Sequence, residues 1–87
     1  MKTVPVIVEN EVSLWTGKHT GNIRVTPLVE VYSPKYDDLI GSLSYDSETN
    51  YDEFFPRAEL ENLVFNDVSF EMDFPLSHFG EGLKVLK

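Results

Sequence analysis

Eighty-seven residues, 41% apolar and 13% aromatic, suffice for a single domain spanning residues 1–87 and built on one modest core; a chain this short buries only about 60–65% of its unfolded surface. With no cysteine, disulfides, zinc–thiolate sites and a thiol nucleophile are excluded, and a reducing, cytoplasmic setting is expected. A net charge of −8 argues against direct binding to nucleic acid or to an anionic membrane, both of which require positive charge.

Taken in order, Val4, Val6 and Val8 alternate with Pro5 and Ile7, which predicts a first strand over residues 3–9. Pro5 cannot donate to a ladder, which places this strand at an edge or delays its start. Val12 and Leu14 then alternate with Ser13 and Trp15, after a bulge, bend or turn near Asn10. Thr16 to Asn22, with Gly17 and Gly21, reads as a loop. Beyond it Ile23, Val25, Pro27, Val29 and Val31 alternate with Arg24, Thr26, Leu28, Glu30 and Tyr32. Here Pro27 predicts either an edge position or a break into two shorter strands. A turn at residues 33–38 leads to alternation from Leu39 to Asp46, which completes a hairpin with the strand before it.

Residues 46–53 form the most polar and acidic loop, ended abruptly by Phe54, Phe55 and Pro56. Two readings compete after it. One is a short helix over residues 56–64, with Leu60, Leu63 and Val64 at helical spacing. The other is a strand through Leu63, Val64 and Phe65 that turns at Asn66 and Asp67 into its partner. That partner, residues 68–74, has the most regular pattern in the chain. Val68, Phe70, Met72 and Phe74 alternate with Ser69, Glu71 and Asp73, giving one apolar and one acidic face. It is expected to be a core strand. Leu83 to Leu86 reads as an optional last strand after a loop holding His78 and Gly80. The fold class that follows is α+β, mainly an antiparallel sheet of about four to six strands with the helix of residues 56–64 as an optional element.

The sequence offers little catalytic chemistry. Asp46, Glu48, Asn50 and Asp52 have the opening rhythm of a calcium loop, but Tyr51 and Arg57 stand where that loop needs Gly and a bidentate Glu. His19 and His78 lack metal-ligand spacing, and Gly17-Lys18 lacks the rest of a phosphate loop. Ser77 precedes His78 without an elbow motif. Leu60, Phe65 and Phe70 recur every five residues, which resembles a pentapeptide-repeat β-helix. Leu63 and Val68 occupy positions where that family needs small residues, so the spacing is assigned to the strand alternation instead. No catalytic residue, metal or cofactor is expected, and the chain is read as a non-enzyme.

Charge is the remaining signal. Residues 37–81 carry twelve carboxylates against Arg57 alone. Carboxylates held on a rigid scaffold can replace phosphates in front of Lys and Arg, so the leading expectation is an inhibitor or decoy that occupies a basic, nucleic-acid-binding protein surface. Small acidic proteins of phage and mobile elements, such as anti-restriction and anti-CRISPR proteins, are of this general kind. The nominated contacts are Asp37, Asp38, Asp46, Glu48, Asp52, Glu53, Glu59 and Glu61, with Tyr36, Tyr45 and Tyr51 as anchors. The alternative is an immunity protein or assembly subunit that binds through a strand edge, at residues 4–9 or 23–33, or through exposed aromatics such as Trp15 and Phe54-Phe55. Monomer and homodimer both remain open.

Overall fold

A computed structural model describes residues 2–45, 54–80 and 83–86. These form two antiparallel sheets, one α-helix and one 3-10 turn. The larger sheet holds β1 (Thr3–Val12), β2 (His19–Pro27), β5 (Leu43–Tyr45) and β6 (Phe70–Pro75) in the order β5-β2-β1-β6. The smaller holds β3 (Glu30–Ser33), β4 (Asp38–Leu39) and β7 (Lys84–Leu86) in the order β4-β3-β7. Helix α1 (Arg57–Asn66) precedes β6, and the 3-10 turn (Leu76–Phe79) follows it. The α+β class is as the pattern predicts. Among the described residues no helix is long and apolar enough to cross a membrane.

The valine alternation in β1 does what a period of two should: Val4, Val6 and Val8 are fully buried. The strand is central, however, and not the edge that Pro5 suggested. It pairs with β2 (Val6 opposite Pro27, Val8 opposite Val25) and with β6 (Val4 opposite Phe74, Val6 opposite Met72). The reason lies in the direction of one missing donor. In an antiparallel strand the N–H and C=O of a residue face the same neighbour. The Pro5 carbonyl accepts from the Leu28 N–H at 2.8 Å, so the Pro5 nitrogen also faces β2, one residue past the last paired position. No ladder bond is lost there.

Pro27 breaks the long alternating stretch, as one of the two readings required. β2 ends at Pro27 and β3 begins at Glu30, while β4 and β5 are separated at Ile40 to Ser42. The hairpin expected between these segments therefore forms in two halves, one in each sheet. Ile23 and Val25 stand opposite Tyr45 and Leu43 in the larger sheet, and Tyr32 and Ser33 stand opposite Leu39 and Asp38 in the smaller. Near Asn10 the chain bulges and does not turn: β1 runs on to Val12 with a register shift between Asn10 and Val12.

Residues 56–64 resolve to helix, not strand. Leu60 and Leu63, three residues apart, are buried against the sheet, and Asp67 ends the helix in the left-handed conformation at φ 53°. The strand of residues 68–74 forms from Phe70 onward, but at the edge of the larger sheet. Phe74 is buried, Phe70 and Met72 are half-buried, and Val68 is exposed ahead of the strand. Phe74 lies among Phe55, Phe79, Tyr45 and His78, with ring centroids 4.9–6.1 Å away. Among the described residues every buried side-chain nitrogen or oxygen has a hydrogen-bond partner.

Candidate protein-binding surface

Of the carboxylates nominated from the sequence, Asp37, Asp38, Glu59 and Glu61 lie among the described residues. Asp37 and Asp38 sit with Tyr36 at the β3–β4 turn, all exposed, and Asp37 accepts a hydrogen bond from the Tyr32 hydroxyl. That bond is the main reason the Tyr32 phenol is pushed above its ordinary value. Glu59 and Glu61 are exposed on α1, but two residues on a helix are about 200° apart around its axis, so they point to different flanks. Glu61 pairs with Arg57 at 3.4 Å. Tyr45 is half-buried, its ring 5.4 Å from Phe54 and 5.7 Å from Phe55, and burial raises its phenol pKa. It serves the core with its ring. Asp46, Glu48, Tyr51, Asp52 and Glu53, together with the calcium-like loop, lie outside the described residues.

Large apolar side chains are also exposed at the turn between β1 and β2. β1 stops at Val12, so Leu14 and Trp15 fall in the turn that joins β1 to β2, where they are 98% and 97% exposed. That turn is tied by its own hydrogen bonds. The Ser13 N–H donates to the Lys18 carbonyl and the Gly17 N–H to the Ser13 carbonyl, both at 2.9 Å. The Ser13 hydroxyl accepts from the Trp15 N–H at 3.2 Å, and the Thr16 hydroxyl accepts from the Lys18 N–H at 3.2 Å. Gly17 supplies the positive φ of 69° that closes it. The backbone under Trp15 is thereby fixed while its side chain has no place in the core.

Helix α1 ends beside the base of this hairpin. Asn10 donates from Nδ2 to the Leu63 carbonyl at 2.9 Å, satisfying one of the carbonyls that a helix leaves unpaired in its last turn, and to Asp67 Oδ1 at 3.2 Å. His19, opposite Val12, approaches the same Asp67 oxygen at 3.7 Å. On this part of α1 Phe65 is 81% exposed and Val64 is exposed too. Phe65 is nearly opposite the buried Leu60 and Leu63 around the helix axis, so burying them turns it outward. Val12, Leu14 and Trp15 on the hairpin and Val64, Phe65 and Val68 around the end of α1 are thus all exposed, and Asp67 joins the two elements through Asn10 and His19. The sequence offered two signals for this surface: the turn chemistry of residues 13–18, and the helical phase of Phe65.

No family model, curated protein or solved structure matches this chain.

The left-handed conformation at Asp67 suits Asn at least as well as Asp, and a negative charge at a helix C-terminus opposes the helix dipole. Asp67→Asn is accordingly expected to stabilise the domain at neutral pH by about 0.3–1 kcal/mol, read as a higher midpoint in urea unfolding.

A second surface is the outer face of the larger sheet. Glu9 stands opposite Arg24, and Glu71 and Asp73 stand opposite Ile7 and Pro5. Glu11 accepts from the hydroxyls of Ser44 and Thr20 and from the Asn22 amide at 3.0–3.3 Å. The Ser44 bond is the largest cause holding the Glu11 carboxyl below its ordinary value; Thr20, Asn22 and the Arg24 charge act the same way, and desolvation opposes them. A carboxyl lowered by folding contributes stability above the ordinary carboxylate range, and that contribution is lost as pH falls through its lowered folded value. Glu11→Gln should therefore flatten the acid limb of the stability curve, measured by thermal melts from neutral to acid pH. An unchanged limb would show that the three bonds do not hold in solution. Among the described residues, no three His, Asp or Glu side chains converge as a metal site would require.

Proposed function

We propose that this chain is a non-enzymatic protein-binding domain that docks on a basic protein surface through the end formed by the β1–β2 turn and the last turns of α1. The observation that carries this reading is the near-complete exposure of Leu14 and Trp15 on a hydrogen-bonded turn. Large apolar side chains on an immobilised backbone lose little entropy on docking, and Trp is the residue most enriched among dominant interface contacts. Phe65 adds a second anchor from a separate element.

Charge sets the chemistry of the partner. A net −8 attracts a positive surface and repels a second copy of the chain. Exposed Asp67, Glu61, Glu59, Asp37 and Asp38 supply carboxylates that Lys and Arg can accept in place of phosphates. An inhibitor or decoy of a cytoplasmic nucleic-acid-binding protein, of the kind encoded by phage and mobile elements, is the form of function that this combination favours. The apolar anchors also give weight to the immunity-protein or assembly-subunit reading, which requires no basic partner.

Affinity capture from source-cell lysate at low and high salt, with DNA as competitor, separates them. A nucleic-acid-binding protein held at low salt and released by salt or DNA supports the decoy. Capture that survives salt and ignores DNA supports apolar docking alone. Capture by wild type and by Trp15→Ala to the same extent overturns the assignment of the surface.

A further inference from the structure

We infer that the free edge of β6 accepts an extended segment of a partner protein in which basic and apolar residues alternate. Backbone direction defines this edge. Because the backbone of Pro5 faces β2, that of Val4, Val6 and Val8 faces β6, where their partners are Phe74, Met72 and Phe70. The N–H and C=O groups of Glu71 and Asp73 therefore point the other way, off the sheet. Among the described residues β6 ends the sheet order, and no backbone hydrogen bond reaches the N–H of Glu71 or Asp73. Pro75 closes the row, since it has no N–H to offer.

Such an edge is a template for another strand, and its side chains state which strand. Glu71 and Asp73 are exposed on one face; Phe70 and Met72 are half-buried on the other. Residues directly opposite in a ladder share a face. A complementary segment thus places Lys or Arg opposite Glu71 and Asp73, and apolar side chains opposite Phe70, Met72 and Phe74. A second copy of β6 fits badly. Two-fold antiparallel pairing centred on Met72 sets Glu71 against the copy's Asp73, twice, and pairing centred on Glu71 or Asp73 sets that acid against itself. The alternation that forms the strand also guards it against self-pairing. This surface is distinct from the hairpin tip and shares with the function proposed above only the positive charge of the partner.

The probe is the capped peptide acetyl-Thr-Val-Lys-Val-Lys-Val-Thr-amide, titrated into the full chain labelled with nitrogen-15. The expected result is slowed amide exchange and shifted resonances at Glu71 and Asp73. Binding should weaken by about tenfold or more when the two lysines are replaced by glutamates. It should be abolished when the peptide backbone nitrogens facing β6 are methylated, a control that needs no change to the protein. Trp15→Ala should leave peptide binding intact, whereas E71K with D73K should remove it and leave capture through the hairpin tip in place. Shifts centred on the hairpin tip, equal binding of the glutamate or methylated peptide, or no binding of the lysine peptide overturns the inference. Protection of Glu71 and Asp73 that grows with protein concentration in the absence of peptide assigns the edge to self-association instead, and also overturns it.

Discussion

Phe74→Ala is expected to cost about 3–5 kcal/mol of folding stability. A domain of this size holds roughly 4–13 kcal/mol in total, so the variant should be largely or wholly unfolded well below the wild-type midpoint. The size of the effect follows from where the ring sits. Phe74 is 1% exposed, stacks on Phe55 at 5.9 Å and meets Phe79, Tyr45 and His78 edge-on. It reaches both the strand that carries it and the segments before α1 and after β6, so truncation removes contacts that tie three parts of the chain. Phe65→Ala is the matched control. The same deletion from a ring 81% exposed should change stability by no more than about 0.5 kcal/mol. Urea unfolding followed by far-ultraviolet circular dichroism reads both. Tryptophan fluorescence is a poor probe here, because the only tryptophan is already in water when the chain is folded. Equal costs for the two phenylalanines would mean that the core does not lie where Phe74 does.

The contrast between these two rings also shows what the sequence could and could not express. Alternation gave the buried faces of β1, β2 and β6, because a strand ties side-chain direction to residue parity. It could not give sheet position. Pro5 argued for an edge, and β1 is central, because the cost of a missing N–H depends on the neighbour it faces, and that is set by register with residues more than twenty positions away. Residues 68–74 read as a core strand and do pack on the core. Alternation could not say that the strand is at the edge, since an edge strand needs one covered face just as much. Trp15 was placed in the continuing alternation of Val12 and Leu14; the Ser13 hydroxyl and Gly17, which end the strand and close the turn, were the better guide. The acid was legible as exposed, but which carboxylates share a face depends on the element that carries them. Glu59 and Glu61, two apart on a helix, diverge, whereas Glu71 and Asp73, two apart on a strand, share a face.

Trp15→Ala should weaken binding to the cognate partner by about 2 kcal/mol or more, roughly thirtyfold in Kd, while leaving the melting temperature of the free domain unchanged. The two halves of this expectation have one cause. A side chain 97% exposed contributes little to the fold, so its removal acts only on the docked state. There a tryptophan buries on the order of 200 Å² and excludes water from its surroundings. The loss should appear mainly as faster dissociation, because a short-range apolar anchor is formed only after encounter. Added salt should act on the other rate. Long-range attraction between the −8 domain and a positive surface speeds association and is screened within about 10 Å at 0.1 M ionic strength. Surface plasmon resonance at two salt concentrations, with wild type and Trp15→Ala, resolves the two effects. If salt slows association and the variant speeds dissociation, anchor and charge are separate devices on one interface. If the variant matches wild type in both rates while salt still acts, binding is carried by carboxylates alone and the exposed tryptophan has no part in it.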